Sequence, residues 1–248
     1  MMNGIEEIFT PSFIHNAKYA NAALAFTLLI IGFTGHHYVG LFLKDKLNKR
    51  ENPKITFAST VGQRITGFIF FGVIPLTFFY SFQNISFQEY GINIHNLYQS
   101  LIWVGIFAPL IVLGNYFMTG KTSNQQNYPQ IRIKNWNHWL LSINFITWLI
   151  YLFAYEAFFR GLLLFSFYYT FGATTAIIVN IILYVLAHLP KGTKEMIGSV
   201  PFGLILCIIT LKTGSFVAAF LIHGIMAISY EFFSIKSHPE MSIKNKRL

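Results

Sequence analysis

The sequence predicts an all-α membrane protein, a polytopic bundle of about seven transmembrane helices. Three observations carry that prediction. Of the 248 residues, 54% are apolar and 11% are charged, against roughly 25% charged in a soluble domain, which leaves too few charges for a water-facing surface. Apolar stretches recur along the chain, and about 20 helical residues are enough to cross a hydrocarbon core. The basic residues gather in alternate connections between those stretches, the positive-inside pattern of membrane proteins.

Seven apolar segments follow in order. The first covers residues 19–43. Glu6 and Glu7 precede it where a cleaved leader carries positive charge, so it is expected to stay as a helix. The second and third cover 65–82 and 97–118 and enclose Pro75 and Pro109, which a membrane helix tolerates when its neighbours absorb the kink. The fourth, 139–169, is long and has only Gly161 as an interruption, with Trp136 and Trp139 at its start suited to the membrane interface. The fifth, sixth and seventh cover 173–188, 196–211 and 216–233.

The connections set the orientation. Lys44, Lys46, Lys49, Arg50, Lys54 and Arg64 flank the first, Lys121, Arg132 and Lys134 the third, Lys191 and Lys194 the fifth, and Lys236, Lys244, Lys246 and Arg247 the tail. The alternate side has Lys18 and Lys212. Seven crossings with the N-terminus outside and the C-terminus in the cytoplasm put every basic cluster inside the cell. The net charge of +9 thus reads as topology, with the lipid bilayer as partner and no nucleic acid. The single cysteine, Cys207, lies in an apolar run and offers neither a disulfide nor a CxxC motif.

Glu156, Arg160, His188 and His223 stand out inside the apolar segments. A charge at the centre of a membrane helix costs about 2.5–3.5 kcal/mol. Glu156 and Arg160 are four apart, face the same way and can pair. Singly, each has a structural explanation: a clasp for the ion pair, a satisfied core imidazole for His223, a helix end before Pro190 for His188. Together they bring a base or metal ligand, an orienting cation and two water-polarising groups from three segments to one pocket.

These residues resemble the CPBP family, which includes CAAX prenyl endopeptidases and Abi bacteriocin-immunity proteins. Its E-E-x-x-x-R motif is approached by Tyr155-Glu156-Ala157-Phe158-Phe159-Arg160, followed by Gly161. Its F-x-x-x-H motif is matched by Tyr184 to His188, and its third motif, His followed four residues later by Asn, by His223 to Ala227. The resemblance covers residues 139–233 and divides the single membrane domain into N-terminal helices, 1–137, and a CPBP-like core, 138–235. It implies an intramembrane endopeptidase acting near the cytoplasmic face on a peptide or membrane-protein substrate. Two family positions differ: Tyr155 replaces the Glu that serves as general base, and Ala227 replaces the Asn that helps hold the oxyanion.

In the enzyme reading Glu156 activates water, His188 and His223 polarise it or bind a metal, and Arg160 positions Glu156. Glu156, His188 and His223 suit a zinc ion as well as a metal-free water site. Glu231, eight residues past His223 on the same helical face, is a further candidate carboxylate or a residue of the cytoplasmic end. The alternative is a non-catalytic immunity or scaffolding protein of the same fold, which the two replaced positions favour. A proton-relaying transporter is a third reading, against which stands the lack of a visible repeat or paired broken helices. The expectation for the site is that Glu156, His188 and His223 line one cavity facing the cytoplasm.

Overall fold

The computed structural model describes residues 17–48, 53–83, 85–119 and 128–244. Lys49, Arg50, Lys121, Lys246 and Arg247, assigned above to basic connections, lie outside the described residues. Helix α1 spans Ala17–Asn48 and α2 spans Pro53–Phe68. The chain continues through a π turn at Ile69–Val73, α3 at Ile74–Phe78 and a second π turn at Phe79–Gln83. Pro75 sits in the first turn of α3, where its missing N–H and its ring interrupt the regular hydrogen-bond ladder. The second helix thus begins well before residue 65. Hydropathy marks where a helix enters apolar surroundings, not where it starts, and Pro53 is well placed at a first helical position.

Helix α4 spans Leu97–Thr119 and α5 spans His138–Glu156. The side chain of Asn137 caps α5 by accepting a hydrogen bond from the N–H of Leu140 at 2.8 Å. A π turn at Ala157–Leu163 leads into α6, Leu164–Ala187, then a short 3₁₀ turn at Leu189–Lys191. Helices α7, Thr193–Thr213, and α8, Val217–Ser237, complete the bundle. Two strands of two residues, β1 (Asn135–Trp136) and β2 (Ser242–Ile243), pair in parallel and join the tail to the segment ahead of α5.

Among the described residues, six helices are long and apolar enough to cross a membrane. The longest, His138–Ala187, has 50 residues, about 75 Å if straight, far beyond a single crossing. It breaks at Gly172, whose φ of +81° is non-helical. The fourth and fifth apolar segments are therefore one unit folded back on itself. Asn180 accordingly donates to the carbonyl of Phe159 at 2.7 Å, a contact between residues about 31 Å apart on a straight helix.

The helices pack in a ring. α8 lies against α4 and α5, α5 against α2, α2 against α1, α1 against α6, α6 against α7, and α7 against α8. Residues 154–166, which span the π turn after α5, are all buried. Phe71, Phe79, Phe158, Phe159, Leu162 and Tyr184 form the core around them. The outward faces carry exposed Ile30, Phe82, Leu110 and Ile182. An exterior of this kind needs hydrocarbon around it, and the chain is a multi-pass membrane protein.

Candidate active site

Glu156 is the last residue of α5, and the π turn begins at the next position. A π turn adds a residue to a helix and frees a carbonyl, a device common at functional sites. Here the Phe159 carbonyl takes the side-chain N–H of Asn180 together with the backbone N–H of Leu164. The turn therefore holds α5 and the returning half of α6 in register. Glu156 and His188 each lie sixteen positions from Gly172, so the fold-back brings them to similar depth.

Glu156 Oε1 lies 2.6 Å from His223 Nδ1. With a carboxylate as acceptor, Nδ1 carries the proton and donates, and Nε2 of His223 is left as a lone pair. Glu156 Oε2 lies 3.4 Å from Arg160 Nη1, an ion pair whose geometry is too loose for a hydrogen bond. The guanidinium sits over the ring of Tyr184, 4.3 Å from its centroid. His188 packs on the other side of the site, its ring 4.6 Å from that of Tyr184, and its Nδ1 lies 2.8 Å from the Tyr184 carbonyl. A carbonyl can only accept, so His188 also carries its proton on Nδ1 and offers Nε2.

Glu156 and Arg160 are wholly buried, and His188 and His223 keep 8% and 6% of their surface. The four residues are thus enclosed by the bundle. Glu156, Arg160 and His223 touch directly, while Tyr184 stands between them and His188. Tyr155 is stacked on Phe159 at 4.5 Å, belongs to the aromatic core, and faces His223 at 6.2 Å edge-on. Ala227, one turn past His223, places no polar group there.

Glu231 belongs elsewhere. Eight residues along a helix is about 12 Å, and its carboxylate accepts from the Gln130 N–H at 3.2 Å and from Asn144 Nδ2 at 3.3 Å. Arg64 completes this second cluster, donating to Asn144 Oδ1, the Asn144 carbonyl, Thr147 Oγ1 and Gln130 Oε1. Its guanidinium also covers the Trp148 ring at 4.4 Å. Arg64, expected to flank a basic loop, is in fact 4% exposed inside the bundle.

Sequence reasoning missed Asn144, Asn180 and the hydroxyl of Tyr184. Polar residues at helix-facing positions within apolar runs were the available signal. Among the described residues, no group of three or more His, Cys, Asp or Glu is placed to hold a metal ion. As arranged, Glu156, His188 and His223 therefore do not fit a zinc centre.

Residues 137–229 match the family model described as type II CAAX prenyl endopeptidase Rce1-like. This part of the chain is similar to that family. The match agrees with the CPBP resemblance of the three motifs. The Rce1-like segment contains Glu156, Arg160, Tyr184, His188 and His223, and it ends before Glu231. No curated protein and no solved structure matches the chain.

Proposed function

We propose that the chain is an intramembrane endopeptidase that hydrolyses a peptide bond at or near the cytoplasmic face of the membrane. One observation carries this reading: Glu156 gives one oxygen to His223 at 2.6 Å and keeps the other buried, beside Arg160, without a hydrogen-bond partner. Such a carboxylate is held in place and still has an oxygen able to accept a proton. A water at Oε2 transfers a proton to Glu156 while its oxygen attacks the carbonyl carbon of the scissile bond. Collapse of the tetrahedral intermediate breaks the C–N bond, and Glu156 returns the proton to the leaving amine. The water's second hydrogen goes to one imidazole lone pair, Nε2 of His223 or of His188, which polarises it, and Arg160 fixes the carboxylate.

A groove of about 450 Å³ along the seam of α5 and α8 supports an apolar substrate. Leu149, Leu221, Gly224, Ile225 and Phe232 are among its lining residues, and Gly224 directly follows His223. A prenylated CAAX peptide is therefore the first substrate to test, with purified protein in detergent. Cleavage by the native chain that falls about 10²–10⁴-fold in Glu156→Gln supports the proposal. The packing of Tyr155 into the aromatic core, where the family has its general base, favours a second reading, a non-catalytic immunity or scaffolding protein. No processing of peptides or membrane proteins by either the native chain or Glu156→Gln would favour that reading instead.

A further inference from the structure

Buried hydrogen-bonding atoms nearly always find a partner in a native protein, in the chain or in ordered water. Among the described residues twelve buried side-chain nitrogen and oxygen atoms have none, and five of the twelve lie on three touching residues. They are Glu156 Oε2, Arg160 Nε, Nη1 and Nη2, and the Tyr184 hydroxyl. All three side chains are fully buried. The Cys207 thiol donates to Asn180 Oδ1 at 3.2 Å, and its sulfur stands beside the guanidinium as a weak acceptor.

Helix α7 comes close to these groups at Gly203, where a Cβ would press on Tyr184 Cδ1 at 3.0 Å and stand at ordinary contact distance, 3.6 Å, from Arg160 Nη2. Four donor-bearing atoms and one carboxylate oxygen suit water, which joins about three polar partners when buried.

We propose that Tyr184 and Arg160 hold ordered water against Glu156 Oε2, and that Tyr184 is a positioning residue of the reaction. The water site stands on the geometry alone; its part in catalysis rests on the endopeptidase reading above. The Tyr184 hydroxyl acts through the water, which it keeps beside the carboxylate, and touches no substrate.

Tyr184→Phe removes the hydroxyl and keeps the ring under Arg160. In a hydrated site this substitution strands a water and lowers the melting temperature in detergent. In a dry site it removes an unpaired buried group, and the melting temperature rises. A rise or no change overturns the water site, as does density without water between Glu156 and Tyr184 in a structure that resolves water elsewhere. For the reaction, Tyr184→Phe is expected to lower kcat about tenfold with KM unchanged, measured against Glu156→Gln as the blank. An unchanged kcat overturns the positioning role. Should the native chain cleave nothing while Tyr184→Phe still melts lower, the water site stands and the endopeptidase reading fails.

Discussion

Arg160 and Glu156 have different duties despite being partners. Arg160 has one anionic neighbour and no water-facing surface, so its loss leaves the carboxylate buried with only His223 to balance it. Breaking a buried pair in this way costs about 3–5 kcal/mol. Glu156→Gln keeps an oxygen for the His223 N–H and strands far less. Arg160→Ala is accordingly expected to lose more yield and melting temperature in detergent than Glu156→Gln; equal losses would mean that Glu156 is already neutral in the native chain. Glu231 gives the contrasting case, because its two hydrogen bonds serve the Arg64 cluster and not the site. Glu231→Ala should cost about 1–3 kcal/mol of stability and leave kcat per folded molecule unchanged. A selective loss of kcat would join the two clusters functionally. The charged residues of the first cluster were legible in the sequence because charge is rare in apolar segments. Asn144 and Asn180 were not, since a lone amide in such a segment is inexpensive and its partner, Arg64 or the Phe159 carbonyl, is distant in sequence.

At the scale of elements, the apolar runs foretold the helices, and their ends were least visible where polar residues stay helical, as between Pro53 and Arg64. The π turn at Ala157–Leu163 had no local signature: Phe158 and Phe159 are unremarkable in an α-helix, and the turn depends on what packs around it. The β1–β2 ladder is likewise a pairing of segments about a hundred residues apart, invisible to local periodicity. The chain reverses at Gly172, within the gap left between the fourth and fifth apolar segments, whereas Gly161 lies inside the π turn. That position tests the fold-back cleanly. A Cβ at residue 172 would meet nothing within 4 Å, so the cost of Gly172→Ala lies in its φ of +81° alone. We expect a loss of about 1–3 kcal/mol, read as a lower melting temperature, together with weaker cleavage because Glu156 and His188 depend on the reversal for their common depth. A melting temperature equal to that of the native chain would mean that residue 172 relaxes to another conformation and that the reversal is set elsewhere.

The whole molecule has two ends, each stitched by hydrogen bonds that a membrane cannot separate. At one end Phe216 donates to the Gly91 carbonyl, Asn93 to that of Gly214, Tyr169 to that of Glu89 and Thr170 to that of Lys18. The start of α1, the 85–96 connection, the Gly172 reversal and the α7–α8 turn therefore share a side. At the other end the N–H of Ser242 donates to the Lys134 carbonyl at 2.8 Å and that of Lys244 to the Trp136 carbonyl at 2.8 Å. The tail and the segment ahead of α5 thus share the opposite side. Arg132, Lys134, Lys236 and Lys244 lie at this second end, and Lys18 is at the first. From the positive-inside rule we propose that the second end is cytoplasmic. Reporter fusions at Asn52 and after Leu248 are expected to read as cytoplasmic, and an insertion at Gln88 as external. The structural stitching fixes which segments share a side, and charge alone chooses the side. A fusion set with Asn52 outside and Gln88 inside would therefore reverse the orientation and move the Glu156 site to the other half of the membrane, whereas Asn52 and Gln88 on one side would contradict the fold itself.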